Sequence, residues 1–153
     1  MAYRLETGEP FPEGVKRIAR EQLDEAVEQL TEGEDRDEAV HEARKHFKKI
    51  RAVLRLVRDE IGEQVYKPEN ICYRDAGRRL APVRDSFVQV ETLDLLTGYF
   101  AEALALDAFE GLREALVRRH EATKRRILEE ERAADDVVTT LKEARGRIAE
   151  LPI

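Results

Sequence analysis

The sequence predicts an all-α protein, an antiparallel four-helix bundle with an additional short C-terminal helix. Residues 38–61 place Val40, Ala43, Phe47, Ile50, Leu54, Val57 and Ile61 at alternating steps of three and four, which is one continuous helical face. Charged residues make up 39% of the chain, Trp is absent and no Val/Ile-rich alternating run occurs, a composition that favours helix over sheet. Four long periodic stretches are joined by short connections, which makes sequential helices antiparallel. At 153 residues the chain suits one domain with a core of its own.

Residues 1–12 contain Gly8, Pro10 and Pro12 and read as an irregular entry segment. A first helix is expected from Glu13 to Thr31, with Val15, Ile18, Ala19, Leu23, Ala26, Val27 and Leu30 inward and Gly33 as its stop. Asp35, three residues before Glu38, has the spacing of a capping box and starts the second helix, which should end near Gly62. Pro68 suits the first position of a third helix reaching Thr97, with Tyr73, Ala76, Leu80, Val83, Phe87 and Val90 toward the core and a kink at Pro82. Residues 99–106 are apolar and should form a helical turn over the bundle end. Asp107 is the expected N-cap of a fourth helix to about Ala133, with Phe109, Leu112, Leu116 and Ile127 inward. A last helix, 136–150, offers Val137, Val138, Leu141, Ala144 and Ile148 for docking.

The functional signal sits one position beyond the apolar face of the second helix. His41, Arg44, Lys48, Arg51, Arg55 and Arg58 repeat the same three–four spacing, about 100° further round. The stripe spans roughly 25 Å at 1.5 Å per residue. Solvated helices usually alternate charge sign, whereas residues 41–58 hold seven Lys or Arg against the single acid Glu42. This stretch carries +6 in a chain of net charge −6, which leaves −12 on the remainder. Such segregation points to a local anion-binding surface and argues against general DNA coating.

Other chemistries find little support. His41, His46 and His120 are the only histidines, none is paired at i,i+4, and no HExxH is present, so no metal site is expected. No GxxxxGK[ST], GxGxxG or GxSxG occurs. Ser86, the only serine, has no evident base, so no catalytic residue is assigned. Cys72 is read as a small core residue, and a lone cysteine forms no internal disulfide, which suits a reducing, cytoplasmic compartment. No stretch has the length of a membrane span and no cofactor motif is present.

Two segments resemble the conserved histidine α-helical domain, or CHAD, family. Val40-His41-Glu42-Ala43-Arg44-Lys45, continuing to Lys48-Lys49-Ile50-Arg51, is similar to its H-x-x-R-x-x-x-[KR]-[KR]-x-R signature. Leu80-Ala81-Pro82-Val83-Arg84-Asp85 is similar to its L-G-x-x-R-D segment, with Ala81 in place of glycine. The resemblance covers about residues 13–133. It implies helical bundles whose basic helices bind inorganic polyphosphate without consuming it, and a cytoplasmic setting associated with polyphosphate granules. The residues expected to bind are His41, Arg44, Lys45, Lys48, Lys49, Arg51, Arg55 and Arg58 of the second helix. Arg74, Arg78 and Arg84 of the third and His120 and Lys124 of the fourth join them. Members commonly contain two bundles and this chain has length for one, so a homodimer is expected, joined through 99–106 and the last helix. The competing readings are a nucleic-acid-binding module, a scaffold for acidic proteins, a phosphohydrolase and a histidine metal site.

Overall fold

The computed structural model describes residues 2–153; Met1, in the expected entry segment, lies outside them. The observed helices are α1 Phe11–Glu32, α2 Arg36–Leu56, α3 Arg58–Ile61, α4 Glu63–Tyr99, α5 Glu110–Lys124 and α6 Ala133–Ala149. A π-helical turn, Arg125–Glu130, continues α5 toward α6. No strand is present among the described residues, and no helix is long and apolar enough to cross a membrane.

The expected caps hold the α1–α2 corner. Asp35 Oδ1 accepts from the backbone N–H of Asp37 and Glu38 at 3.0 and 3.2 Å. Gly33 closes α1 by donating to Gln29 O at 3.0 Å. A Cβ on Gly33 would lie 2.5 Å from that carbonyl oxygen and 2.9 Å from Ala39 Cβ, so only glycine lets the two helices turn this tightly. The break between α2 and α4 is equally local. Val57 is fully buried outside regular helix, α3 makes one turn, and Gly62 takes the left-handed φ of 80° from which α4 starts. Helix α4 therefore begins at Glu63 instead of Pro68. Pro68 sits in its second turn, where it removes one hydrogen bond, and the helix runs unbroken through Pro82.

α1, α2, the first part of α4, and α6 close into a cycle, each packed on the next and antiparallel to it. Side-chain bonds record the register: His46 to Gln22, Arg51 to Asn70, Arg147 to Glu69 and Arg145 to Asp24. Every residue of the apolar face over 40–61 is buried. The helix expected as an addition is thus the bundle's fourth wall, since Val137, Val138, Leu141, Ala144 and Ile148 are all buried in the shared core.

α4 has 37 residues, about 55 Å, against 21 for α2, about 31 Å. Beyond Ser86 it overhangs the bundle, and α5 returns along it as a hairpin. Phe109 and Leu112, expected inward, are exposed on this hairpin. Residues 100–109 form turns at its tip and do not cover the bundle end; Leu106 is fully exposed.

Candidate functional site

The cationic stripe of α2 faces α4. Arg44, Lys48 and Arg51 line a groove of 190 Å³ with Arg74 and Arg78 from α4, over a floor of Phe47, Tyr73 and Gly77. Lys48, Arg51 and Arg55 line a second hollow of 190 Å³, adjoining the first through the two residues they share. Six cations from two antiparallel helices thus converge along roughly 16 Å of α2. Among the described residues, only Arg74 of the six forms an ion pair, with Asp75 at 2.9 Å. Arg51 Nε donates to Asn70 Oδ1 at 2.9 Å, which fixes its guanidinium on a neutral acceptor and leaves its charge uncompensated. Burial pushes the Tyr73 phenol well above its ordinary range, so the floor adds no negative charge. From the sequence Tyr73 reads only as a core residue, and neither Asn70 nor Gly77 is singled out. Asn70, Arg74 and Arg78 step by four, and that spacing already places Asn70 on the binding face.

The remaining expected residues are placed elsewhere. His41 is half-buried one turn before Arg44, outside both linings. Lys45 and Lys49 lie a further 100° round α2, toward α1. Lys45 pairs with Glu42 at 2.9 Å, and Lys49 stands over the Tyr3 ring and lines a groove with Glu25, Glu28, Glu32 and Glu42. Arg58 falls on α3 beyond the break, where it pairs with Glu63 and stacks on Tyr66. Arg84 points to the hairpin, 3.5 Å from Glu91 and over the Phe87 ring.

His120 and Lys124 meet Asp37 at the start of α2. Lys124 Nζ is 3.1 Å from Asp37 Oδ2. His120 is 6% exposed, with Nδ1 2.7 Å from Ser86 Oγ and Nε2 2.9 Å from Asp37 Oδ1. The last contact is out of line for a hydrogen bond, and both atoms are buried without another partner. Ser86 thus has a histidine neighbour that its sequence context does not reveal. A nucleophile has to reach substrate, however, and this hydroxyl is buried and lies 3.1 Å from the Val83 carbonyl. The trio ties α2, α4 and α5 together where the hairpin leaves the bundle.

Among the described residues no group of three or more His, Cys, Asp and Glu could hold a metal ion. Cys72 is half-buried, and burial raises its thiol pKa despite Arg147 nearby, which disfavours the thiolate form.

No curated protein and no solved structure matches the chain. The family model for the CHAD domain matches residues 17–150. That match includes α6, which the sequence motifs did not reach and which the packing shows to be a full member of the bundle. With most of its length covered and both motif segments on packed helices, the chain belongs to the CHAD family.

Proposed function

We propose that the chain binds inorganic polyphosphate, without consuming it, in the groove between α2 and α4. The observation that carries this reading is the convergence of Arg44, Lys48, Arg51, Arg55, Arg74 and Arg78 with one ion pair among them. Uncompensated cations four residues apart repel one another. A linear polyanion relieves that repulsion along its whole length, and arginine forks match phosphate oxygens. His41 extends the stripe by one turn, as a neutral donor that gains charge as pH falls. The protein works in the cytoplasm, at polyphosphate granules, and as a dimer.

Two features weigh against the competing readings. Phe47 and Tyr73 are about 99% buried in the groove floor, so no aromatic face is offered to a nucleobase. The groove linings contain no carboxylate, and phosphoanhydride hydrolysis would need one to hold a metal or activate water.

Titration with long-chain polyphosphate over a range of salt concentrations tests the reading. For about five phosphate contacts, log affinity should fall against log salt with a slope of roughly −3 to −4, taking the coefficient for single nucleic-acid strands. No orthophosphate should be released with magnesium present. A slope near zero would remove the electrostatic groove, and tighter binding of single-stranded RNA at equal phosphate would replace the ligand.

A further inference from the structure

We propose that Gly77 is a specificity-determining residue of the groove between α2 and α4. It keeps one stretch of the floor free of any side chain, so an unsubstituted phosphate chain sinks between the cations while a nucleic-acid strand is held on their rim. This inference rests on the polyphosphate reading of the same groove.

Glycine is among the least favourable residues in a helix interior, because it surrenders the most backbone freedom and packs nothing. Gly77 stands about four turns into the 37-residue helix α4. A helix keeps a glycine for backbone reasons when φ is positive, and for packing reasons when a neighbour leaves no room for a Cβ. Neither holds at Gly77. The positive-φ glycines are Gly8 and Gly62. A Cβ on Gly77 would meet only Phe47 Cδ2, at 3.8 Å, which is ordinary van der Waals contact. On Gly14 or Gly33 it would fall 2.5 Å from Leu5 or from Gln29 O. Gly98, Gly111 and Gly146 also face open space, but each lies in the first or last turn of its helix, where the hydrogen-bond ladder is already incomplete. Among the described residues Gly77 is thus the one glycine deep in a helix that neither backbone nor packing requires. What it borders is the groove.

At 100° per residue, Gly77 falls between Tyr73, turned to the core, and Arg74 and Arg78, turned outward. Arg44 and Lys48 stand on the α2 side, with Phe47 in the floor. One turn further along α4 comes Ala81, also small. Cations therefore edge a floor that is apolar and low. Charge draws any polyanion to the edges, and depth decides which one goes further. Each phosphate of an inorganic chain presents only oxygens, so arginines of both helices can grip it from the sides. A nucleic-acid strand carries a sugar and a base at every phosphate. The groove holds 190 Å³, below the range of about 300–1,000 Å³ that encloses drug-sized ligands, so those groups stay outside it.

Titration of the full chain with long-chain polyphosphate and with single-stranded RNA, at equal phosphate, tests the inference. Gly77→Ala should raise the thermal midpoint by about 2–4 °C, as relief of an interior helix glycine does in a domain of this size, and should weaken polyphosphate binding. Gly77→Leu should weaken it about ten-fold or more, the scale of one group too many in a fitted pocket, while RNA affinity changes less than about two-fold. The control Gly146→Ala, on α6, should change neither affinity. Gly77→Ala adds a single methyl group and carries the test even where leucine disturbs the helix packing. A Gly77→Ala variant less stable than the wild type would overturn the proposal, because packing would then require the glycine. So would equal losses for polyphosphate and RNA. A wild type that binds polyphosphate beside Gly77 variants that bind it equally well would overturn this inference alone. A wild type that binds none would overturn it together with the reading on which it rests.

Discussion

Toward α1, helix α2 looks across a groove of 670 Å³ at Glu25, Glu28 and Glu32, and contributes Glu42, His46 and Lys49 to it. Toward α4 the same helix contributes Arg44, Lys48, Arg51 and Arg55 to hollows that Arg74 and Arg78 complete. On the first flank the cations are matched, Lys45 by Glu42 and Lys49 by its acidic surroundings. On the second they accumulate. A chain of net charge −6 can therefore present a cationic site, because one helix wall keeps the two signs apart. Net charge averages over both flanks and describes neither.

The largest expected effect tests whether the wall itself is correctly read. Ile50 and Arg51 are adjacent, yet Ile50 is fully buried and Arg51 lines the groove. Ile50→Glu should unfold the domain, because an unpaired buried charge costs several kcal/mol, comparable to the whole stability of a small domain. Circular dichroism should show the loss of helicity. Arg51→Glu should keep native helicity and reduce polyphosphate affinity roughly ten- to a hundred-fold, the scale of about 1.5–3 kcal/mol for a hydrogen bond to a charged group. Two equally unfolded variants would mean that the stripes had exchanged faces.

A smaller effect belongs to the acidic flank. His46 is buried, with Nδ1 2.7 Å from Gln22 Oε1 and Nε2 3.5 Å from Glu25. Burial lowers its pKa from 6.5; Lys49 and Lys45 act in the same direction, and Glu25 and Glu42 oppose them. A histidine with a depressed folded pKa binds its proton more readily when unfolded. Its contribution to stability is therefore complete above the unfolded value and is lost as pH falls from about 6.5 toward the folded one. Thermal midpoints measured between about pH 7 and pH 5 should fall more steeply for the wild type than for His46→Gln. Equal slopes would show that this flank does not hold the imidazole neutral.

The smallest expected change sharpens the comparison most. Glu28→Gln leaves the basic flank untouched and should change polyphosphate affinity by less than about two-fold, as expected for an exposed charge largely screened by salt. A titration in which Glu28→Gln and Arg51→Glu have effects of similar size would place the anion across α2 and not along one side of it.

Much of α2 was legible in advance because its information is local. An apolar residue every three or four positions states which face is buried, whatever the partner, and the cationic stripe beside it follows from the same geometry. The cap at Asp35 and the stop at Gly33 are equally local. The register of α4 was less so. Pro68 carries the signature of a helix start, but Gly62, with its left-handed φ, and the buried Val57 set the turn earlier, and the helix accommodates proline in its second turn. Charge type was readable at every position, yet which cations gather was not. Lys45 and Lys49 share the run with Lys48 and differ from it by one step of rotation, and that step becomes decisive only when α1 and α4 occupy the two sides.

The sequence by itself determined that the chain would be helical, where its longest stripes lie and that positive charge is concentrated on α2, because each follows from spacing within a few turns. Tertiary structure alone decided that α6 completes the bundle and that α5 stays outside it with Phe109 and Leu112 exposed. It also brought Ser86, His120 and Asp37 together from three helices. An amphipathic helix specifies that it needs a neighbour but not which one. That choice depends on the relative lengths of α2 and α4 and on where the chain turns back, information distributed over residues far apart in sequence.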